Sequence, residues 1–454
     1  MGKLLDNHLL RDRMPGLPLL LAPWLGWAQP PFNGLKLVAL AAAALSCLLL
    51  WELLRPWLEP WPRFAVLILY AFNPLVAEYA GRVMTEPVFT LSVLVSFLLL
   101  RSVSRGGRVG QAWLLGLTLG AAAIIRAEGL LLLPAVALGL WTCRRRRALA
   151  AAMAPALAAA AAFYGGNLWA HRRFPTRYLQ VWAASVPHSS PLRNAVAFVT
   201  RSVWVAVLGA RHFPESPAAC AAAALSTVVL AVLFVRGLRR LEEERPGETS
   251  TLRAVFAFFF LYLLTHALWP VADPRFFLAL LPFALAAAAK GLCGAPSGAA
   301  RRWVWAGLGV WLLSYGTNHA QALLETARRP RENRAPAATL SWLRANSAPS
   351  AKVWSFADAA IIELYTARPA VSFPPPPDKR AFQARLLRDG VGYVYYAPLR
   401  VVFEPLPALE EWVRRWEESR SWASSSPDAF KLLYADAEEG TSVYEVLPPV
   451  RPRR

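Results

Sequence analysis

Charged residues are scarce in this chain of 454 residues, at 17% against about a quarter in an ordinary soluble domain. The shortage is greatest for acidic residues, of which there are 29 against 49 Lys and Arg. With 56% hydrophobic residues, this composition argues against a cytosolic enzyme and against a disordered chain. The four cysteines lie in or beside apolar segments without metal-like spacing, so we interpret them as small hydrophobic residues rather than disulfides or ligands.

The excess positive charge lies in the hydrophobic part of the chain. Residues 1–316 carry a net charge of +17, whereas residues 317–454 carry +3. This combination is typical of a multi-pass membrane protein with Arg-rich cytoplasmic loops, and it argues against a nucleic-acid-binding protein. Ten apolar segments, several of them short, are predicted to cross the membrane. They are 35–54, 64–80, 86–101, 112–125, 127–142, 148–169, 217–236, 254–270, 276–292 and 303–316.

Basic residues alternate between the short loops in a way that predicts the orientation. Seventeen Lys and Arg lie in the first, third and later odd-numbered loops, whereas Arg82, Arg126 and Arg275 each stand alone in the intervening ones. Positive charge stays on the cytoplasmic side, so the sparsely charged loops are predicted to face outward. The predicted outer face comprises residues 1–34, 81–85, 126–129, 170–216, 271–275 and 317–454.

The last part of the chain changes character. Short runs rich in Tyr, Val and Phe alternate with helical patterns between residues 335 and 447, and residues 430–434 and 441–447 form a predicted hairpin. The predicted fold is therefore an all-α polytopic membrane domain over 35–316, followed by a small α/β extracytoplasmic domain over 317–454 with a short parallel sheet. Residues 1–34 are predicted to be an external segment with an interfacial helix over 17–28.

Four charged clusters lie on the predicted outer face. Placing an ionic group near the membrane is costly, so each cluster requires a structural or functional explanation. They are Arg11–Gly16 with Arg13, Thr85-Glu86-Pro87, Arg126-Ala127-Glu128 and Asp273-Pro274-Arg275. A basic membrane anchor would explain the first, helix capping by Thr85 the second, an internal ion pair the third, and pairing of its two charged residues the fourth. The functional alternatives are phosphate contacts for Arg13 and Arg126, and a cavity carboxylate for Glu86.

The six histidines show no metal-binding spacing. His266 lies inside an apolar segment, and we expect a buried, hydrogen-bonded histidine there, with orientation into an outer cavity as the alternative. The loop over 170–216 is amphipathic and aromatic, which predicts a surface helix that partly covers that cavity.

The ordered motifs of residues 10–316 resemble those of the C-type superfamily of integral-membrane glycosyltransferases. The branch is that of bacterial protein mannosyltransferases and lipid A aminoarabinose transferases. Four stretches are similar to this family's patterns. They are Arg13-Met-Pro-Gly-Leu-Pro, Asn73-Pro followed by Thr85-Glu-Pro, the Gly-rich stretch ending at Arg126-Ala-Glu-Gly, and Asp273-Pro-Arg-Phe-Phe with Pro282.

The resemblance implies an inverting sugar transfer from a polyprenyl-phosphate donor to a hydroxyl of a lipid, glycan or protein at the outer face of the bacterial inner membrane. It implies Arg275 as a phosphate clamp, Arg126 as donor support, and Arg13, Glu128 and Asp273 as the other substrate-binding residues. Glu86 is the implied cavity carboxylate. The cofactor is unknown; a divalent metal ion is the alternative to arginine for taking up the phosphate charge.

One departure from the family pattern concerns the catalytic acid. The family places an essential Asp some two dozen residues before the basic-Pro segment, but here only twelve residues precede Arg13, and they contain Asp6 and Asp12. We therefore expect the chain to lack its first helix and that Asp. Asp6 and Asp12 remain the catalytic candidates beside Glu86. The rival functions are a non-catalytic lipid-carrier-binding or scaffold protein and, less favoured because no internal repeat is visible, a transporter.

Overall fold

The computed structural model describes residues 16–25, 32–166, 190–209, 217–267, 273–293, 298–328, 336–356, 359–398 and 407–448. The chain divides into two compact units, with the division between Ala322 and Leu323. The first unit is helical. Its helices are α1 Gly16–Leu25, α2 Phe32–Leu54, α3 Pro60–Ala71, α4 Pro74–Ala80, α5 Thr85–Ser104, α6 Val109–Ile125, α7 Leu132–Thr142, α8 Arg146–Ala160, α9 Pro191–Ser202, α10 Pro217–Glu244, α11 Thr249–Ala267, α12 Leu281–Leu292 and α13 Gly298–Arg328.

The predicted multi-pass helical membrane domain is confirmed. Among the residues that the structure describes, five helices are long and apolar enough to cross a membrane. They are Gly34–Leu54, Thr85–Ser104, Arg146–Gly165, Cys220–Glu244 and Pro246–His266. Three shorter apolar helices, Val109–Ile125, Ala127–Thr142 and Leu281–Leu292, coincide with segments predicted to be short. Helix α13 continues past residue 316 to Arg328.

Contacts between the basic loops place them at one end of the bundle. Arg101 at the end of α5 donates to the Leu53 carbonyl at 3.0 Å and to the Glu52 carbonyl at 3.1 Å at the end of α2. Arg105 pairs with Glu248, between α10 and α11. These arginines thus serve as ties between helix ends as well as positive charges.

The predicted crossing over 64–80 is two helices with a break at Asn73. The Asn73 Oδ1 atom accepts from the backbone of Leu75 at 2.9 Å and so caps α4, whose first residue is Pro74. Its Nδ2 group donates to the Ala206 carbonyl at 2.6 Å and to the Tyr315 hydroxyl at 2.8 Å. The buried amide therefore fixes the start of α4 against the π-helical turn Val203–Val207 and helix α13.

Small residues let helices α10 and α12 approach closely. A Cβ atom added at Gly237 would lie 1.9 Å from the Ala287 carbonyl oxygen, and one added at Gly291 would lie 2.2 Å from the Leu233 carbonyl oxygen. Such close backbone contact is typical of helix packing in membranes, where apolar burial alone does not hold helices together.

We expect Gly237→Ala to lower stability by about 1–3 kcal/mol, because the added methyl group forces α10 and α12 apart. The measurement is thermal unfolding of the full-length protein in detergent. Gly307→Ala in α13 is the matched control, since a Cβ there meets nothing within 4 Å. The control is expected to be neutral or stabilising, and equal effects of the two substitutions would contradict the close-packing interpretation.

The second unit is the predicted small α/β domain. Its helices are α14 Ala337–Asn346, α15 Ala359–Thr366, α16 Lys379–Arg388 and α17 Pro407–Ser425. Its strands are β1 Lys352–Trp354, β2 Ala370–Val371, β3 Val391–Tyr396, β4 Phe430–Asp436 and β5 Thr441–Val446. They form one sheet in the order β2-β1-β3-β5-β4.

The predicted short parallel sheet and the predicted hairpin over 430–434 and 441–447 are both present, and they join into one mixed sheet. Strands β2, β1 and β3 are parallel because helices connect them, and the β4–β5 hairpin adds antiparallel strands. Side chains of successive strand residues point to opposite faces of the sheet and pack into two hydrophobic cores. Trp354 and Tyr396 lie in one core, and Val353 and Tyr395 lie in the other. Both faces of the sheet are therefore covered.

A buried arginine joins the ends of α14 and α15 in this unit. Arg368 is 8% exposed and donates to the carbonyls of Arg344 at 2.6 Å, Ser347 at 2.7 Å and Thr366 at 3.0 Å. These carbonyls follow or end helices, where no intrahelical N–H reaches them. The guanidinium group thus replaces the missing partners.

Arg368→Met is expected to cost about 1–3 kcal/mol, because methionine keeps the apolar stem but leaves the buried carbonyls without donors. Hydrogen exchange of peptides covering residues 337–371 should accelerate. Arg388→Met, whose side chain is 73% exposed in the native protein, serves as the control and should leave exchange unchanged. Unaltered exchange in Arg368→Met would show that water satisfies those carbonyls.

Candidate functional site

Three of the four charged clusters meet in the structure at one end of the helical bundle. Glu86 lies in the first turn of α5, Arg126 between α6 and the 3-10 turn Ala127–Leu131, and Arg275 in the 3-10 turn Pro274–Phe277 that precedes α12. Helix α5 enters from this end and reaches the basic loops with its other end. The cluster and the basic loops therefore lie at opposite ends of the bundle.

Arg126 is the centre of the cluster. Its Nη1 atom donates to Glu86 Oε1 at 2.7 Å, and its Nη2 and Nε atoms donate to the two carboxylate oxygens of Glu128 at 2.7 and 3.3 Å. The three side chains are 9%, 4% and 16% exposed. The pairing with Glu128 is bidentate, and this geometry restricts the orientation of a guanidinium group more than a single hydrogen bond does. One arginine thus pairs with two carboxylates in a site nearly closed to water.

Glu86 also lies beside the second arginine of the site. Arg275 Nε is 2.9 Å from Asp273 Oδ2 and 3.9 Å from Glu86 Oε1. Asp273 in addition caps its own turn by accepting from the Arg275 backbone N–H at 3.0 Å. The Glu86 carboxylate therefore lies between two guanidinium groups.

Aromatic rings complete the surroundings of the two arginines. The Phe276 ring lies 5.4 Å from the guanidinium of Arg126 and 5.0 Å from that of Arg275, and the Phe89 ring lies 5.7 Å from Arg126. Each ring presents its negative face to a cation within the range of a cation–π contact. Phe276 belongs to the motif Asp273-Pro-Arg-Phe-Phe, but nothing in a sequence shows which ring lies beside which charge.

Other residues enter the site from elements that the sequence treats separately. The surroundings of Tyr79 on α4 include Asp273, Arg275 and Glu86, and those of Arg201 on the amphipathic helix α9 include Asp273. In the sequence, the position of Tyr79 shortly before Thr85 is the feature that points to its place near the site. Helix α9 confirms the predicted surface helix over 170–216 within the part that the structure describes, residues 190–209.

Several structural alternatives can now be judged. The ion pairs Arg126–Glu128 and Arg275–Asp273 both form. Thr85 as N-cap is wrong: the cap is Met84, Thr85 is the first helical residue, and its hydroxyl lies 3.4 Å from Glu86 Oε2.

The remaining predicted residues are not part of this cluster as described. Asp6, Asp12 and Arg13 lie outside the described residues. Arg82 pairs with Glu78 on the surface, with both side chains 45% exposed.

Within the described ranges, no group of three or more His, Cys, Asp or Glu residues could hold a metal ion. The carboxylates of the cluster point at guanidinium groups, so this donor set does not fit a divalent cation. No step is therefore assigned to a metal.

The fold, a helical bundle followed by a small α/β unit, is similar to that of ArnT and of an oligosaccharyltransferase, as the resemblance to the C-type integral-membrane glycosyltransferases predicts. ArnT from Cupriavidus metallidurans, solved with undecaprenyl phosphate, matches with a TM-score of 0.55 at 11% identity over 90% of this chain and 83% of its own. The Archaeoglobus fulgidus oligosaccharyltransferase, solved tethered to an acceptor peptide containing the NVT sequon, matches with a TM-score of 0.51 at 13% identity over 85% of this chain.

The chain spans 61% of the length of the archaeal enzyme. At such low identities these likenesses establish the fold, and the predicted likeness to the aminoarabinose transferase branch is confirmed at that level. No protein-family model and no curated protein matches the sequence.

Removing Arg126 should be strongly destabilising if the cluster is one buried ion network. We expect Arg126→Met to cost roughly 3–5 kcal/mol, because Glu128 would lose its guanidinium partner and Glu86 would keep only the more distant Arg275, 3.9 Å away. Arg82→Met is the matched control at an exposed pair and should cost less than about 1 kcal/mol. Thermal unfolding in detergent measures both; similar losses would mean that water reaches the Arg126 site freely.

Proposed function

We propose that this protein is a glycosyltransferase that moves a sugar from a polyprenyl-phosphate donor to an acceptor hydroxyl at the outer face of the bacterial inner membrane. The observation that carries the proposal is the position of Arg126 and Arg275 on either side of Glu86. Two oriented guanidinium groups, in a site poor in water, are what a phosphate with growing negative charge requires. The shared fold supports this class of reaction.

The proposed orientation follows from the charge of the loops. The basic loops are held together at one end of the bundle, and such loops stay in the cytoplasm. The cluster is then on the outer side, where lipid-linked sugar donors present their phosphates near the headgroup level. On the same reasoning, we place the small α/β unit outside the cytoplasm.

In the proposed reaction the acceptor oxygen bonds to the anomeric carbon as the bond from that carbon to the phosphate oxygen breaks. Arg275, 14% exposed, would contact the departing phosphate, and Arg126 would support it from the more enclosed side. The acceptor proton would pass to a carboxylate. Glu86 is the described candidate, with Asp6 and Asp12 as candidates outside the described residues.

One observation favours a second candidate function. Each described carboxylate of the cluster already faces an arginine: Glu86 and Glu128 face Arg126, and Asp273 faces Arg275. A carboxylate held in an ion pair is a weak base. The second candidate is therefore a non-catalytic protein that binds the lipid carrier; it predicts binding of polyprenyl phosphate without sugar transfer from any donor.

Arg275→Ala should abolish transfer, measured per amount of folded full-length protein, because the departing phosphate would lose its nearest guanidinium group. The assay is transfer of labelled sugar from a panel of polyprenyl-phosphate sugars by the full-length protein in membranes. Arg82→Ala, a surface arginine near the same end, should retain wild-type transfer. Turnover that survives in Arg275→Ala would refute the clamp, and binding without any wild-type turnover would favour the second candidate.

A further inference from the structure

His266 is a buried histidine of the site that the proposed reaction does not use. It lies in the last turn of α11 and is 3% exposed. Its imidazole stacks between two phenylalanine rings, with Phe198 of α9 at 4.9 Å and 24° and Phe276 at 4.6 Å and 18°. The ring thus joins the surface helix to the turn that carries Arg275.

The two ring nitrogens of His266 are unusual for buried polar atoms. Neither hydrogen-bonds to any residue that the structure describes, which contradicts the sequence-based expectation of a hydrogen-bonded histidine. A buried polar atom without a partner costs about 1–3 kcal/mol. Phenylalanine would fill the same stack without that cost, so packing alone does not account for an imidazole here.

One acceptor stands just beyond hydrogen-bond distance of the ring. His266 Nε2 is 3.9 Å from Glu128 Oε1, the same oxygen that accepts from Arg126 Nη2 at 2.7 Å. A movement of about 1 Å would bring an Nε2–H donor into hydrogen-bond range of this oxygen. Arg126 and His266 therefore both approach the Glu128 carboxylate, and of the two it is Arg126 that is hydrogen-bonded to it in this structure.

We propose that His266 is a positioning residue that takes over Glu128 when Arg126 turns toward the donor phosphate. A phosphate that draws the guanidinium away leaves Glu128 buried beside the imidazole, with the hydroxyl groups of Tyr164 and Tyr262 also in its surroundings. The hydrogen bond from Nε2 then stabilises the carboxylate, so Arg126 can leave it at lower cost. The inference rests on the proposed function for the identity of the phosphate, but not for the competition at Glu128.

The functional test compares two substitutions at one position. His266→Phe keeps the stack and removes both nitrogens, so its thermal stability should equal or exceed that of the wild type. Its KM for the donor should nevertheless rise roughly tenfold, the effect of one lost hydrogen bond to a charged group, with a smaller change in kcat. His266→Gln places an amide N–H near the Nε2 position and should recover part of the loss. Wild-type KM in His266→Phe would overturn the proposal.

A second measurement is independent of the reaction. In the Arg126→Met background, Glu128 has already lost its arginine, so His266→Phe should lower the melting temperature instead of leaving it unchanged or raising it. This reversal of sign between the two backgrounds is expected from thermal unfolding of the four full-length proteins. Additive effects would refute the role of His266 at Glu128. Reversal without any wild-type transfer would refute the proposed function alone.

Discussion

The need to pair every charge that leaves water governs the end of the helical bundle that carries the charged cluster. Glu86 and Arg126 are almost fully buried, and each finds a partner of opposite charge in the other, 2.7 Å away. Through Glu128 and Arg275 the same requirement brings together residues from three separate turns. A network of this kind specifies one arrangement of the helix ends, because any shift of a turn leaves a charge without a partner.

Much of the fold could be predicted from the sequence, because its signals are local. Apolar length and loop charge located the membrane helices, and alternating Tyr and Val runs located the strands of the small domain. The break at Asn73 within a single predicted crossing was missed, since hydropathy does not register a buried amide. The sequence indicates the parallel strands and the hairpin separately. It does not indicate that they pair into one mixed sheet, because pairing partners, unlike strands, are not local properties.

The candidate site was predictable in its members but not in its contacts. Arg126 and Glu128 lie two residues apart, so their ion pair could be anticipated. The 3.9 Å approach of Arg275 to Glu86 joins residues 189 positions apart and depends on how α5 and α12 pack. Rings such as Phe276 acquire a role only through that packing, which places a phenyl face beside two cations.

The Asn73 amide has a mechanical consequence for the same end of the molecule. It divides what would otherwise be one continuous helix. Its hydrogen bonds to the Ala206 carbonyl and the Tyr315 hydroxyl hold the start of the shorter piece, α4, in place. Tyr79, on this piece, is therefore tethered to the π-helical turn and α13 more directly than to α3. A change in the tilt of α3, which a thinner or thicker bilayer imposes, need not pass through this joint to α4 and Tyr79.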